Sequence, residues 1–274
     1  MQITIVTPSY QSAQTILDTL HSVRQQKKQP SQEIKINHWI IDGLSKDQTC
    51  DIVNQHISET QSLNALGLAE DQIEYHCFLL SEKDKGLYDA MNKGVMKAQE
   101  QDVVAILNSD DFYADSFVIS KVVQAFDQDQ ALEMAYGDLV YVDLNNPQKV
   151  TRFYSSANFS KWKIRFGKMI AHPSTFIKKT TYQRLGLYDL NFRISADFEW
   201  ICRAMVQGIH TQYIPEVFVK MREGGVSNQN IRNRLKGNRE IVEACKKNQI
   251  YTNLLFILSK IPFKMLGFLF KKGF

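Results

Sequence analysis

Four short apolar runs, separated by helical stretches and each closing on polar residues, limit most strongly how this chain folds. They are residues 2–7, 34–42, 73–80 and 103–107, rich in Ile and Val, the last nearly all apolar. Runs of this length and composition suit strands of a parallel sheet covered on both faces. Between the first two, Ile16, Leu20 and Val23 recur at i, i+4 and i+7, one face of a helix. Ser45 and Gln48 have the spacing of a capping box before a helix carrying Ile52, Val53 and Ile57. Residues 59–72 read as a polar connection with a short helix, and 87–99 as a third helix. This βαβαβαβ order predicts an α/β fold with a doubly wound, mostly parallel sheet.

The pattern changes after residue 131. Residues 132–136, 139–144 and 149–154 predict short strands, with Asn145-Asn146-Pro147 as a turn. A helix is expected over 197–207, a strand over 211–221 and a polar helix over 228–247.

Composition narrows the class. With 44% hydrophobic and 23% charged residues in 274, the chain has enough apolar material for a full core, which excludes disorder. Thirty-three basic against 29 acidic residues gives +4, too mild for a nucleic-acid binder. That excess is local: six lysines and no acid follow Glu243, so the first 243 residues carry −2, the difference between +4 and +6. Cys50, Cys77, Cys202 and Cys245 form no CxxC pair, which argues against a zinc site or disulfide framework. The first residues do not resemble a signal peptide, and no uncharged apolar run reaches the roughly 18 residues of a membrane span. A cytoplasmic location is expected.

Ligands of an open parallel sheet bind beyond the carboxyl ends of its strands. The residues there are Thr7-Pro8-Ser9-Tyr10, Asp42-Gly43, Glu82-Lys83-Asp84-Lys85-Gly86 and Asn108-Ser109-Asp110-Asp111. Neither GxGxxG nor GxxxxGK[ST] occurs, which argues against a dinucleotide oxidoreductase or a P-loop NTPase. A nucleoside diphosphate held without a glycine cradle calls for Mg²⁺ or Mn²⁺, bound by carboxylates and phosphate oxygens. Asp110 and Asp111 suit that task; capping the following helix is the other reading.

Taken in order and spacing, these clusters resemble family 2 glycosyltransferases of the GT-A fold. The matching pieces are Thr7–Tyr10, Asp42-Gly43-x-Ser45-x-Asp47-x-Thr49, Glu82-x-Asp84-x-Gly86-x-Tyr88-Asp89-Ala90-Met91-Asn92-x-Gly94 and Asn108–Asp111. Within the family the likeness is to bacterial enzymes of O-antigen and exopolysaccharide assembly, over about residues 2–227. It implies one GT-A domain over 1–227, with a Rossmann-like nucleotide-sugar half (about 1–111) and an acceptor half (112–227). The activity implied is inverting transfer of a sugar, commonly from a UDP-sugar, to a hydroxyl, with Mn²⁺ or Mg²⁺ as cofactor. The expected acceptor is polyprenyl-diphosphate-linked or another saccharide.

By the same resemblance, Thr7, Pro8, Ser9 and Tyr10 form the nucleoside loop and Asp42 hydrogen-bonds the base. Asp84, Lys85 and Asn92 line the donor pocket. Asn108 and Asp110 lie near the ribose and the metal, and Asp110 and Asp111 bind the metal. Asn108 replaces an acid found in many members, which leaves fewer carboxylates. Asp197, opening a helix in Ile194–Trp200, matches the base that deprotonates the acceptor. His172 matches a residue of the active-site wall, on a strand. Arg222 suits a clamp on the diphosphate, with Gly224-Gly225 letting the loop close over it. A catalytically silent sugar-nucleotide-binding or scaffold subunit is the alternative.

Residues 228–274 are expected to form a helical tail. In residues 250–274, Asn253, Lys260, Lys264, Gly267 and Lys271 gather on one narrow helical face, with Pro262 interrupting. The rest of the circumference is Leu, Ile, Phe and Met, which suits a helix lying in an anionic membrane surface at the inner face of a bacterial cell membrane. A homo-oligomer is the competing use of that face.

Overall fold

The computed structural model describes residues 1–67, 69–223 and 231–259, and for 231 and 232 the main chain alone. The chain divides into two compact units. The first comprises residues 1–157, 171–188 and 209–223; the second comprises 158–170, 189–208 and 224–274.

The first unit holds one nine-stranded sheet. Its strands are β1 (Gln2–Ser9), β2 (Lys35–Asp42), β3 (Glu74–Ser81), β4 (Val103–Ile106), β5 (Phe112–Tyr113), β6 (Met134–Val142), β7 (Val150–Tyr154), β8 (Thr175–Lys178) and β9 (Thr211–Arg222). The order is β3-β2-β1-β4-β8-β6-β9-β5, with β7 beside β6. The first four are parallel, as their apolar composition predicts. Beyond β4 the sheet is mixed: β8 runs antiparallel to β4 and β6, and β9 parallel to β6. The helices are α1 (Ile16–Arg24), α2 (Thr49–Ala65), α3 (Leu87–Lys97), α4 (Val118–Gln128) and α5 (Lys179–Leu185). Ile16, Leu20 and Val23 of α1 are fully buried in the same core as Ile3, Ile5 and Ile36. Each such side chain contributes about 1.5–3 kcal/mol by leaving water.

Several local expectations change. The two strands expected over 132–136 and 139–144 are one strand, β6, running through Gly137. A Cβ there would lie 2.8 Å from the Glu216 carbonyl oxygen and from Phe218 Cδ2, so glycine here admits β9. Helix α2 runs on to Ala65, into the stretch 59–72 expected as a polar connection with a short helix. Helix α4 was not expected, although Val118, Ile119, Val122, Val123 and Phe126 give it a continuous buried face.

The second unit contains a 3-10 turn (Lys161–Phe166), α6 (Ala196–Val206), α7 (Ile231–Lys247) and α8 (Leu254–Leu258). Ile164, Phe198, Trp200, Cys202, Ala244, Cys245 and Ile257 are buried. Glu199 is fully buried and paired with Arg203 at 2.8 Å and Lys247 at 3.0 Å. Such pairing makes a buried carboxylate tolerable. Residues 224–230 and 260–274 lie outside the described residues, and with them Gly224-Gly225 and the two ends of the expected tail, including Lys260, Pro262, Lys264 and Lys271.

Candidate functional site

Parallel strands bring their carboxyl ends to one edge, and the register makes the alignment close. Ser9 pairs with Asp42, and Asp42 with Ser81. The departing chain keeps the same bonding: Gly43 N donates to Ser9 O at 2.9 Å, Glu82 N to Asp42 O at 3.0 Å and Leu107 N to Val6 O at 3.0 Å. The four polar clusters therefore line one edge of the sheet.

Asp42 is fully buried there. Its carboxylate accepts from Ser45 N at 2.9 Å, Ser45 Oγ at 2.5 Å, Ser81 Oγ at 2.8 Å and Cys50 Sγ at 3.3 Å. Burial, reinforced by this carboxylate, pushes the Cys50 thiol up. The expected capping box does not form. Ser45 Oγ donates to Asp42 and accepts from Gln11 N at 2.9 Å. Asp47 does the work at the start of α2, accepting from Thr49 N at 3.1 Å and Thr49 Oγ1 at 2.5 Å. Its other oxygen accepts from Ala13 N at 3.1 Å, tying the loop after β1 to the start of α2. These bonds, the Thr49 hydroxyl's first, hold Asp47 below the usual carboxylate range.

Tyr10 and Asp84 converge on Gly43. A Cβ on Gly43 would sit 2.5 Å from Asp84 Oδ2 and 3.5 Å from Tyr10 Cδ2, so any side chain would displace the Asp84 carboxylate. Tyr10 is 64% exposed, leaving a ring face open for stacking. Asp84 Oδ1 accepts from Gly86 N at 2.8 Å, and Gly86 has φ +114, a turn that favours glycine. Lys85 is exposed, and its main-chain N–H donates to Asp89 at 2.9 Å.

The Asn108–Asp111 segment differs from its neighbours. Asp111 is fully buried; among the described residues its only side-chain donor is Asn108 Nδ2, 3.0 Å from Oδ2, and the Arg222 main-chain N–H also bonds the carboxylate. Asp111 Oδ1, Asn108 Oδ1 and Ser9 Oγ are buried without a hydrogen-bond partner among the described residues. Burial, and then the Asp110 charge, holds Asp111 well above the ordinary carboxylate range. Burial raises Asp110 too, against the pull of Arg222. The segment is fastened at two points: Thr19 Oγ1 donates to the main-chain Asp111 O at 2.7 Å, and Ser12 Oγ lies 2.8 Å from Ser109 Oγ.

This donor set fits a hard divalent cation that keeps part of its coordination for a ligand. Among the described residues no group of three or more His, Cys, Asp or Glu side chains is poised to hold a metal. Two adjacent carboxylates, of which Asp111 has an orphaned oxygen, match the way Mg²⁺ and Mn²⁺ use one or two protein carboxylates and complete their shell with phosphates and water.

Other expected ligands face into the protein. Thr7 Oγ1 lies 2.8 Å from His38 Nε2, and His38 Nδ1 lies 3.0 Å from Tyr75 OH, which His56 Nε2 approaches at 3.3 Å. Burial lowers His38 to about 3 and His56 to about 4, so both rings are neutral near pH 7. Pro8 is buried in β1 opposite Ile41. Asn92 is buried, donating to Tyr188 O and accepting from Tyr188 N, each at 2.9 Å; it is a main-chain clamp on the residue-188 segment. His172 is in a 3-10 turn (His172–Ser174), not a strand, because Pro173 interrupts the ladder there. Its Nε2 lies 2.8 Å from Tyr188 OH, which lies 2.9 Å from Tyr182 OH.

Arg222, at the end of β9, is nearly buried. It donates to Asp110 O at 2.7 Å, pairs with Asp18 and stacks over Phe112 at 4.9 Å. The guanidinium braces the acidic segment through its main chain. Asp18, the Ser12–Ser109 pair and the His38–Tyr75–His56 chain had no sequence signal, since each depends on a partner far away in the chain. Asp47 had one, its place in the Asp42–Thr49 motif.

In the second unit, Ser195 is the residue before α6 and Asp197 lies in its first turn, where Asp197 Oδ1 accepts from Phe198 N at 2.8 Å. Glu240 of α7 holds the approach to that turn, accepting from Arg193 N at 3.2 Å, Ile194 N at 2.8 Å and Ser195 N at 2.9 Å.

Comparison with known proteins agrees with this arrangement. The family described as Glycosyl transferase family 2 matches residues 4–181. A PGL/p-HBAD biosynthesis glycosyltransferase of Mycobacterium bovis (strain BCG / Pasteur 1173P2) is 27% identical over 191 residues, 69% of this chain and 66% of the relative. The chain thus spans just under two thirds of that relative's length. An uncharacterized glycosyltransferase of Mycobacterium tuberculosis (strain CDC 1551 / Oshkosh) is 29% identical over 203 residues, 74% of this chain and 68% of its own. Staphylococcus aureus TarS 1–349, solved with UDP-GlcNAc, superposes with a TM-score of 0.62 at 13% identity, covering 89% of this chain and 66% of TarS. The mannosyltransferase PcManGT of Pyrobaculum calidifontis, solved with GDP-Man and Mn²⁺, also gives 0.62, at 17% identity over 89% of this chain and 63% of its own. These two likenesses establish the fold.

Proposed function

This chain belongs to glycosyl transferase family 2, and we propose that it is a divalent-metal-dependent, inverting hexosyltransferase that uses a nucleoside diphosphate sugar, UDP-linked. The observation that carries this reading is the sheet edge itself. An exposed ring at Tyr10, a carboxylate at Asp84 and the under-bonded Asn108–Asp111 segment lie at the ends of adjoining strands. UDP-GlcNAc and GDP-Man bound to the two similar folds support a nucleotide-sugar donor.

In this reading Tyr10 stacks on the base. Thr7, Pro8 and Asp42 shape the nucleoside loop, and Lys85 approaches the phosphates. Asp110 and Asp111 would hold Mg²⁺ or Mn²⁺. The chemistry a divalent cation supplies at such a site is neutralisation of charge on a departing diphosphate. Asn108 Nδ2 keeps Asp111 Oδ2 oriented and leaves Oδ1 available. Asp197 is the proposed base, taking the proton of the acceptor hydroxyl. Asn92, His172 and Arg222 act indirectly, through the segments they fasten. The acceptor is a lipid-linked saccharide of surface-polysaccharide assembly, met at the inner face of the cell membrane, with residues 250–274 against anionic lipid.

The test is a thermal-shift panel of UDP-, GDP- and dTDP-sugars with and without Mn²⁺, followed by turnover of the stabilising donor. Manganese-dependent stabilisation by one UDP-sugar, with kcat reduced about 10²–10⁴-fold in Asp197→Asn, is the expected result. Donor binding with no turnover by the unaltered chain would favour the silent subunit. No shift with any nucleotide would overturn the donor site.

A further inference from the structure

The second unit carries a surface that none of the preceding chemistry uses. Its 3-10 turn and the two residues after it present Lys161, Lys163, Arg165 and Lys168, and no acidic residue occurs between Asp143 and Asp189. None of the four forms an ion pair among the described residues: Lys161 and Lys163 reach only the carbonyl oxygens of Val206 and Asn158, and Arg165 lies 5.5 Å over the Trp162 ring. Beside these cations runs a file of aromatic rings. Trp162 and Phe166 are 5.0 Å apart, Phe166 stacks on Phe256 of α8 at 5.3 Å, and Tyr251 meets Phe256 at 6.1 Å. Thr252 Oγ1 fixes the two pieces together by donating to Arg165 O at 2.5 Å. The outer members are wet: Trp162 is 59% exposed, Tyr251 70% and Leu255 77%.

Unpaired cations around exposed Trp, Tyr and Leu match the boundary of an anionic bilayer. Rings of mixed polarity settle at the headgroup level, and Lys and Arg meet lipid phosphates there. A soluble protein partner would need an acidic face of matching shape, whereas a bilayer needs only net positive charge and apolar side chains that enter it. The sequence continues in the same character, since residues 260–274, outside the described residues, hold four lysines, no acid and many large apolar groups. We propose that the face formed by Lys161–Lys168 and Tyr251–Leu255 docks on anionic lipid, with Trp162 inserted at the headgroup boundary. The inference rests on the membrane part of the proposed function and extends it from residues 250–274 to the folded turn Lys161–Phe166, and it does not depend on catalysis.

The experiment uses the full chain with vesicles of equimolar phosphatidylglycerol and phosphatidylcholine, or of phosphatidylcholine alone. Trp162 is separated from Trp39 and Trp200 by subtracting the emission of Trp162→Phe. The expected result is quenching of the Trp162 component by bromine-labelled acyl chains in the anionic vesicles only, weakened by high salt. Lys161→Glu with Lys168→Glu, its fold checked by circular dichroism, should bind about 30-fold more weakly or worse, since each lysine near an anionic surface contributes about 1 kcal/mol. Binding of the full chain without Trp162 quenching would overturn the proposal and leave the tail as the sole anchor. No binding would overturn both. Trp162 emission that changes with protein concentration and not with lipid would assign the face to a second copy of this chain, and would also overturn the proposal.

Discussion

Asp42 and Asp111 both sit fully buried where a strand of the parallel sheet gives out, yet they are treated in opposite ways. Four donor contacts from Ser45, Ser81 and Cys50 surround the Asp42 carboxylate. Among the described residues Asp111 has one side-chain donor and the Arg222 main-chain N–H, together with an oxygen that has no donor and a like charge beside it. A buried carboxylate with its bonds made within the protein is part of the scaffold, whereas one left under-bonded costs stability that only an incoming charge recovers. The contrast teaches which acids of a polar edge shape the pocket and which wait for something to bind. It also moves Asp42 toward holding the loop after β2, with any contact to a base made around that network.

The largest expected effect tests the Asp111 side. Asp111→Asn should lower turnover about 10²–10³-fold and abolish manganese-dependent donor stabilisation. The ligand-free protein should meanwhile melt at the same temperature or higher, as neutral amides escape the cost of charge burial. A lower melting temperature without ligand would show that Asp111 is structural after all. Next, Asp42→Ala removes the acceptor of four donor contacts from Ser45, Ser81 and Cys50 and should cost about 1.5–3 kcal/mol in urea unfolding, in contrast to Asp111→Asn. Equal stability losses at the two positions would erase the distinction.

The smallest effect concerns the chain behind Thr7. His38 at about 3 and His56 at about 4 lie below the unfolded value of 6.5, so the unfolded state binds more protons across that interval. Stability should be level above pH 6.5 and fall as pH drops toward 4, by about 1.4 kcal/mol per pH unit for each imidazole once its unfolded form is charged. Denaturant midpoints from pH 7.5 to 4.5, compared with those of His56→Gln, measure this. A variant with an unchanged slope would show that His56 is not buried neutral.

Much of the nucleotide-side fold was legible because local and global preferences agree there. Ile and Val runs make β1 and β4, and Ile16, Leu20 and Val23 face one core. What was misread had a short-range pattern overruled by a long-range partner. Ser45 has a capping spacing, but Asp42 competes for its hydroxyl. Gly137 falls between two expected strands and is a passage for Phe218 within one. Among the site residues, the types at the strand ends announced themselves, but not their orientation. Asn92 resembles a ligand by position, and its amide is spent on Tyr188.

By itself the sequence determined the alternation of strand and helix, the four polar clusters and the acidic pair at 110–111. It could do so because side-chain period, β-branching and the absence of a glycine cradle act within a few residues. Only the tertiary structure decided which clusters share an edge, which carboxylates are already satisfied and which rings join Trp162 to Tyr251. Those outcomes depend on hydrogen bonds and burial between residues tens of positions apart, where desolvation charges a buried polar group for every partner it lacks.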